Sequence, residues 1–475
     1  MPGNEEYFDT DDFRELLNTY EAAMKSGHPP FMDADDLADI ADYYETNGDF
    51  DRATEVVGYA LELYPHATLP NVFKARESLL SNDFERARQY AEQIEDHDDP
   101  DYHYLQAEIL ISEGRIDEAD QYLRELLATV PPDEYQDFVK DCANLYIDYD
   151  INDKAYEWML RSKADDSDDF KELMARTLFG LGKYKDSERI FNELIDRHPF
   201  SKQYWNALAN AQFMNEDYSN AVTSSEYAIA IDPSDPEGLL SKANGLFRLT
   251  NYEEALEYYR RYAEIEPGDE AVLLHQGVCL ANLNRMEEAI DVLQEARQTA
   301  EPDSVILVHI YQELAFCYSH LHQIDEAMQM LDKTLNMDCD HIESMVIKGH
   351  LLLENGLVDR ALNEFKTAVI CSDSAPDVLL RIIVSLYDNH YVKACYEMFR
   401  RFFNYVEQTD DHFSNGYAYM ALCCYDMGKA DEFLSNLKTA VARNPHEARL
   451  VLGFLFPEDM EPKDYYDYIY KQLKQ

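Results

Sequence analysis

Residues 202–268 read KQYWNALANAQFMNEDYSNAVTSSEYAIAIDPSDPEGLLSKANGLFRLTNYEEALEYYRRYAEIEPG, and this stretch decides the fold. When Lys202–Asp235 is written above Pro236–Asp269, the two segments align without a gap at an offset of 34 residues. The positions that match are Trp205 with Leu239, Ala209 with Ala243, Phe213 with Phe247, Tyr218 with Tyr252, Ala221 with Ala255 and Pro233 with Pro267. A fixed period of this length indicates a repeat architecture.

Each repeat contains two predicted helices. In the first repeat, apolar and small residues recur at helical spacing from Gln203 to Met214 and again from Tyr218 to Ile231. Pro233 ends the second helix because proline lacks an N–H and clashes with a preceding helical turn. The small residues Ala209 and Ala221 let the two helices approach closely. A larger residue would overpack the contact and destabilise the fold by about 1–3 kcal/mol. Because such short helices are marginal alone, the pairs are expected to stack on one another.

The repeats resemble the tetratricopeptide repeat family. The residues that carry the resemblance are Trp205, Leu208, Ala209, Ala221, Ala228 and Pro233. The resemblance implies an all-α fold, an α-solenoid in which about twelve helical hairpins wind into a right-handed superhelix with a concave groove.

The repeat register predicts three parts. Residues 1–33 are expected to be an N-terminal capping helix, because Phe8–Met24 is amphipathic but lies outside the register. Residues 448–475 are expected to be a half-repeat and a C-terminal capping helix, as terminal repeats require. One face of that last helix is predicted to carry Tyr466, Ile469, Tyr470 and Leu473. The solenoid is expected over residues 34–447, with repeats starting near residues 34, 68, 100, 136, 168, 202, 236, 270, 308, 342, 376 and 414.

The last two repeats depart from the pattern. Ile383 and Cys395 replace the small pair of the eleventh repeat, and Phe433 stands at a small position of the twelfth. The repeat pattern therefore does not predict how the helices of these two repeats pack.

Charge and composition limit the classes of function that the chain can have. The chain of 475 residues is 46% hydrophobic, which is enough for a core, and carries a net charge of −53. This charge opposes binding to nucleic acid or to an anionic membrane, and it would attract a basic partner. The alternative is that acidic surfaces only keep a long solenoid in solution. No signal segment or spanning apolar run is read from the sequence, and eight scattered cysteines fit a reducing compartment, so a cytoplasmic location is expected.

The sequence carries no recognisable motif for catalysis, for a cofactor or for a metal. No phosphate-binding glycine loop and no zinc-protease motif occurs, so neither a cofactor nor an enzymatic activity is expected. The nearest approach to a metal constellation is Cys317, His320 and His322. His322 and His390, however, fall at the turn position that glycine holds in other repeats, and histidine tolerates a left-handed turn better than most residues. We therefore interpret both histidines as turn residues and expect no metal site.

The resemblance implies that a partner lies along the groove formed by the first helices, at positions 2, 5, 6, 9, 12 and 13 of each repeat. Position 12 gives an aromatic stripe of Phe179, Phe213 and Phe247. The polar candidates at the other positions are Lys140, Asn144, Arg176, Asn206, Asn210, Asn244 and Arg248. The alternative is that these residues only connect adjacent hairpins.

The family's carboxylate clamp is matched only in part. Lys140 and Asn144 stand where its first two members do, but the remaining positions hold Leu173, Gln203 and Ala207. A ligand bound through its C-terminal carboxylate is therefore not expected.

Three functions stay open at this point. The first is a non-catalytic scaffold that binds a protein or peptide partner in its groove, as the fold suggests by analogy; the acidic balance suggests a partner of basic character. The second is an acidic sequestering or mimic protein that binds a basic protein surface by charge. The third is an enzyme whose site lies outside known motifs.

Overall fold

The protein is built from α-helices that pair in hairpins. The computed structural model describes residues 7–8, 10–26, 30–162, 166–302, 304–334, 341–409, 413–457 and 460–473. These residues form 27 α-helices and one short 3₁₀ helix, with no strand among them. The predicted all-α solenoid of stacked helical hairpins is confirmed. By its contacts the chain divides into an N-terminal unit (Met1–Asp217) and a C-terminal unit (Tyr218–Gln475).

The N-terminal unit stacks its hairpins in chain order. Its helices are α1 (Asp11–Lys25), α2 (Ala34–Thr46), α3 (Phe50–Leu63), α4 (Thr68–Leu80), α5 (Phe84–Gln93), α6 (Pro100–Ser112), α7 (Ile116–Leu127), α8 (Tyr135–Asp148), α9 (Asn152–Met159), α10 (Asp168–Gly180), α11 (Tyr184–Arg197) and α12 (Lys202–Met214). From α2 to α11, each even-numbered helix packs against the odd-numbered helix that follows it. The even-numbered helices also pack in succession, α2 on α4, α4 on α6, α6 on α8 and α8 on α10, so they form one continuous face.

The C-terminal unit follows the same rule. Its helices are α13 (Tyr218–Ile231), α14 (Pro236–Arg248), α15 (Tyr252–Ile265), α16 (Glu270–Asn282), α17 (Met286–Thr299), α18 (Ile306–His320), α19 (Ile324–Thr334), α20 (His341–Glu354), α21 (Val358–Cys371), α22 (Pro376–Asp388), α23 (Val392–Thr409), α24 (Tyr417–Asp426), α25 (Ala430–Arg443), α26 (Pro445–Leu452), the 3₁₀ helix Gly453–Leu455 and α27 (Pro462–Leu473). The even-numbered helices α16, α18, α20 and α22 pack in succession and form the face that carries the candidate site.

The turn inside each hairpin depends on one residue with a left-handed backbone. Glycine fills this position in several repeats, and Asn284 (φ 59°) fills it between α16 and α17. His322 (φ 59°) and His390 (φ 67°) fill it elsewhere, so the interpretation of both histidines as turn residues is confirmed. Small polar side chains and histidine tolerate this region better than bulky or β-branched ones.

Close approach of paired helices explains the small residues of the pattern. Ala243, Ala255 and Ala289 are fully buried between neighbouring helices. Gly349 shows how little space is left, since a Cβ atom there would lie 2.3 Å from Cε1 of Phe365 in the following helix. The exceptions predicted in the last repeats are accommodated: Phe433 is buried, and its ring packs against that of Tyr425 at 5.5 Å.

The predicted single helix Phe8–Met24 is interrupted near its start. Tyr7 and Phe8 are helical, but Thr10 adopts an extended backbone, and its hydroxyl accepts a hydrogen bond from the N–H of Phe13 (3.3 Å). Threonine is a favoured N-cap, so α1 begins at Asp11. Phe8 still contributes to the core, since its ring packs against Phe13 (4.8 Å) and Tyr43 (5.5 Å).

The C-terminal helix buries a face that matches the predicted one only in part. Ile469 is buried as predicted, but Tyr470 is exposed, and Tyr465, which lies outside the predicted face, is buried. The cause is Phe456, whose ring stacks on Tyr465 with centroids 3.7 Å apart and so turns this face inward. Helix α27 packs against α25 and α26. The side chain of Leu473, also predicted on this face, lies outside the described residues.

Candidate functional site

A cavity of about 980 Å³ lies on the face formed by the even-numbered helices of the C-terminal unit. Helices α16, α18, α20 and α22 supply most of its lining, and Tyr419 of α24 closes one end. The lining residues recur once per repeat because equivalent positions of stacked first helices share one surface.

The floor of the cavity is apolar. It is formed by Val346 and Ile347 of α20, by Leu380 and Val384 of α22, and by Phe316 of α18. The side chain of Phe316 is 37% exposed, unlike the buried core residues beneath it. Apolar surface that faces water inside a concave site is where a ligand gains most from burial, at about 25 cal/mol per Å².

Polar groups at the rim are held by one another. Arg381 Nη1 lies 2.9 Å from Glu343 Oε1, an ion pair that joins α22 to α20. His320 Nε2 lies 3.9 Å from Glu354 Oε1, and Ser319 donates a hydrogen bond to the same carboxylate at 3.3 Å. These contacts fix the rim and leave its charges largely compensated.

Glu313 differs from the other carboxylates of the cavity. Burial raises the pKa of this half-buried glutamate, and the imidazole of His309, one turn earlier on α18, acts in the opposite direction. Among the residues that the structure describes, none donates a hydrogen bond to the Glu313 carboxylate or forms an ion pair with it. Burial also raises the pKa of Asp388 near His350 at the end of α22.

The sequence-predicted residues of the C-terminal unit engage in internal contacts. The carbonyl oxygen of the Asn244 side chain accepts a hydrogen bond from the hydroxyl of Tyr259 (2.7 Å). Phe247 packs edge-on against Tyr252 (5.6 Å) and His275 (5.2 Å). Arg248 donates to the hydroxyl of Tyr218 at 2.8 Å and lies over its ring. These contacts connect neighbouring helices, as the alternative interpretation expects.

Four sequence-predicted residues of the N-terminal unit lie on α8 and α10. Lys140 forms an ion pair with Asp137 at 2.9 Å, and Asn144 donates to Asp148 at 3.3 Å. Burial raises the pKa of Asp148, and the nearby charge of Arg176 acts in the opposite direction. Phe179 packs against Tyr184 of the following helix at 5.5 Å.

The other three of this unit lie on α12. Asn206 is buried with 2% of its surface exposed, whereas Asn210 and Phe213 are partly exposed. Asn206 therefore presents less surface to a partner than the other two.

The N-terminal unit also carries acidic side chains on its even-numbered helices. Burial raises the pKa of Asp42 to about 6, and Glu45 adds to the effect. Burial likewise raises the pKa of Asp101 and of Asp141. Arg76 of α4 is one of the cations in this region, and it forms an ion pair with Glu108 at 2.6 Å.

The cavity residues were missed although their signal is present in the sequence. Glu313, Phe316 and His320 occupy positions 6, 9 and 13 of the ninth repeat, counted from residue 308. Leu380 and Val384 occupy positions 5 and 9 of the eleventh, counted from residue 376. The same position rule that selected Phe179, Phe213 and Phe247 therefore finds them when it is applied to these repeats.

Neither a metal cluster nor a membrane helix is found in the part of the chain that the structure describes. There, no three histidine, cysteine, aspartate or glutamate side chains lie close enough together to hold a metal ion. Nor does any helix there combine the length and the apolarity that crossing a membrane requires.

Family models match parts of the chain by sequence. A model described as "Tetratricopeptide repeat" matches residues 74–134 and 173–236. A model described as "Anaphase-promoting complex, cyclosome, subunit 3" matches residues 214–296. No curated protein matches the chain. The sequence matches thus fall on both units.

Several solved structures are similar over part or most of the chain. The Cut9–Hcn1 hetero-tetramer of the APC/C matches at 14% identity and a TM-score of 0.35, over 94% of this chain and 93% of that chain. YrrB, a TPR protein described as having an unusual peptide-binding site, matches at 18% identity and 0.34, over 41% and 95%. MamA from Desulfovibrio magneticus RS-1 matches at 16% identity and 0.35, over 37% and 97%.

Proposed function

We propose, on the premise that this chain is a tetratricopeptide repeat protein, that it is a non-catalytic scaffold which holds a segment of a protein partner on its concave surface. The cavity between α16 and α24 is the proposed docking site. The observation that carries this proposal is the apolar floor of that cavity, with Phe316 exposed to water above a closed core. A partner that covers this floor removes apolar surface from water without any rearrangement of the core.

The partner is proposed to have basic character. The chain carries a net charge of −53, and Glu313 places one of its carboxylates inside the cavity, where no described residue forms a hydrogen bond or an ion pair with it. Charge of this sign speeds the encounter with a cationic partner, and salt weakens the effect. A cytoplasmic location is part of the proposal, supported by the seven described cysteines, all of which are free.

The residues predicted from sequence are a second set of candidate contacts. Seven of them lie in the N-terminal unit (Lys140, Asn144, Arg176, Phe179, Asn206, Asn210 and Phe213) and three in the C-terminal unit (Asn244, Phe247 and Arg248). We propose that this second set contributes through its partly exposed aromatic rings, because the polar groups of Asn244 and Arg248 are already hydrogen-bonded within the protein.

The test is affinity capture from lysate of the source organism, quantified by mass spectrometry at low and at high salt. Four full-length proteins are compared: wild type, a cavity variant (Phe316→Ala with Val384→Ala), a variant of the second set (Phe213→Ala, Asn244→Ala, Phe247→Ala) and the control Leu362→Ala. Leu362 is exposed on α21, outside the cavity. Circular dichroism confirms that each variant is folded.

The proposal predicts a protein captured by wild type and by the control but lost with the cavity variant. Loss with the variant of the second set alone would assign the docking to those residues instead of the cavity. A protein that both variants retain and that salt removes would favour the acidic sequestering function, which rests on the same charge of −53. Equal capture by all four proteins at both salt concentrations would contradict docking in the cavity and at the second set.

A further inference from the structure

We propose that the cavity selects a partner segment in which a lysine or arginine stands next to an aliphatic residue, with the carboxylate of Glu313 receiving the cation. This inference rests on the proposed function, since it names the chemistry of the segment that docks there. The first observation behind it is the position of Glu313 on α18, within the cavity lining and beside Phe316.

Glu313 is a partly buried acceptor that has no donor among the described residues. No described residue forms a hydrogen bond or an ion pair with its carboxylate, and burial disfavours the charged form. A buried carboxylate is costly until a cation or a set of donors compensates it. A lysine or arginine side chain from a partner supplies that compensation, and charge-assisted hydrogen bonds are about twice as strong as neutral ones.

The other charged groups around the cavity are already engaged. Arg381 is paired with Glu343, and His320 lies near Glu354. His309 and His350 are electrostatically coupled to Glu313 and Asp388, respectively. An incoming cation at Glu313 therefore does not have to break a rim ion pair, whereas an incoming anion would have to compete with Glu343 for Arg381.

Apolar neighbours define the residue beside the cation. Val346 and Ile347 face the cavity from α20, and Leu380 and Val384 face it from α22. An aliphatic side chain fits this floor, while the methylene stem of the basic residue can lie along the exposed ring of Phe316. A segment with only the basic residue would leave the apolar floor exposed to water. A segment with only the aliphatic residue would leave the Glu313 carboxylate without a cation.

The experiment uses an array of random nonapeptides probed with the full-length protein at about 150 mM salt, where general attraction by surface charge is screened. Four proteins are compared: wild type, Glu313→Gln, the matched control Glu326→Gln and the cavity variant Phe316→Ala with Val384→Ala. Glu326 is exposed on α19, so its substitution removes the same charge outside the cavity.

We expect the peptides bound by wild type and by Glu326→Gln to be enriched in lysine or arginine next to an aliphatic residue. The enrichment in cations is expected to disappear with Glu313→Gln, while aliphatic residues stay enriched. Cation enrichment that persists in Glu313→Gln, or none in wild type, overturns this inference and leaves the scaffold proposal intact. A bound set that does not change in the cavity variant, or the absence of any bound peptide, contradicts both.

A quantitative step follows on the best-bound arginine peptide. Citrulline, which has the shape of arginine without its charge, replaces the arginine, and affinity is measured by fluorescence polarisation. Wild type is expected to lose about tenfold in affinity, the cost of losing one charge-assisted hydrogen bond. Glu313→Gln is expected to bind both peptides about equally, and an unchanged tenfold preference would overturn the assignment of Glu313.

Discussion

Glu313 is a residue whose position favours binding over stability. Burial raises its pKa, and the described residues give its carboxylate no direct partner. Proteins tolerate such a cost where function requires it, and substitution then tends to stabilise the fold while weakening the function. The rim carboxylates Glu343 and Glu354 have partners within the protein, so the same gain in stability is not expected when they are substituted.

We predict that Glu313→Gln stabilises the protein in a pH-dependent way. Because the folded-state pKa lies above the ordinary value, the folded chain binds this proton more tightly than the unfolded chain does. The contribution of Glu313 to the free energy of unfolding is complete at pH values below the ordinary pKa of glutamate. It is lost as the pH rises through the raised pKa of the folded state. The variant is therefore expected to gain on the order of 1 kcal/mol over wild type at pH 7, and little near pH 4. Thermal unfolding at both pH values measures the difference.

Glu326→Gln controls for the loss of one negative charge from a protein of net charge −53. If the gain of Glu313→Gln at pH 7 equals that of the control, general charge repulsion explains it. A loss of stability at pH 7 would show that the Glu313 carboxylate has a stabilising partner in the folded protein, and would contradict its assignment as a carboxylate without a direct partner.

Helices and turns were the part of the structure that the sequence predicted well. Alanine at the close contacts and glycine, asparagine or histidine in the turns have local causes, so a single repeat reveals them. The helix ends depended on contacts that periodicity does not contain. Thr10 caps α1 through its own side chain, and Phe456 selects the buried face of α27 from outside that helix.

We predict opposite effects of alanine at two helical glycines. At Gly349 the new Cβ would lie 2.3 Å from the buried ring of Phe365, so Gly349→Ala is expected to destabilise the protein by about 1–3 kcal/mol. At Gly58 in α3, no described atom beyond its chain neighbours and the backbone of its own helix lies within 4 Å of the new Cβ. Gly58→Ala is therefore expected to stabilise by about 0.5–1 kcal/mol, because alanine has the higher helix propensity.

Urea unfolding of both variants tests the close approach of α20 and α21. A Gly349→Ala protein as stable as Gly58→Ala would mean that the helices are farther apart than the structure shows. Gly58→Ala also controls for the intrinsic helix preference of alanine, so the difference between the two variants isolates the packing contribution.

Across the whole molecule, the repeat pattern predicts where surfaces lie but not which of them is used. Every repeat offers the same groove positions, and the sequence alone gives no reason to prefer Phe316 over Phe213 as a contact for a partner. The structure separates the repeats because a cavity requires several neighbouring first helices with a common apolar floor, as in α18, α20 and α22. That property belongs to the stacked helices, so no single repeat reveals it.

The most direct measurement is site-specific photocrosslinking in cells of the source organism. A photoreactive phenylalanine analogue replaces Phe316 in the cavity and, in a second protein, Leu362 on α21, since both side chains are exposed. We predict that position 316 crosslinks to a defined protein through a segment that contains a lysine or arginine, and that position 362 does not. Equal crosslinking at both positions, or none at 316 while the protein is folded, would contradict the cavity as the docking site.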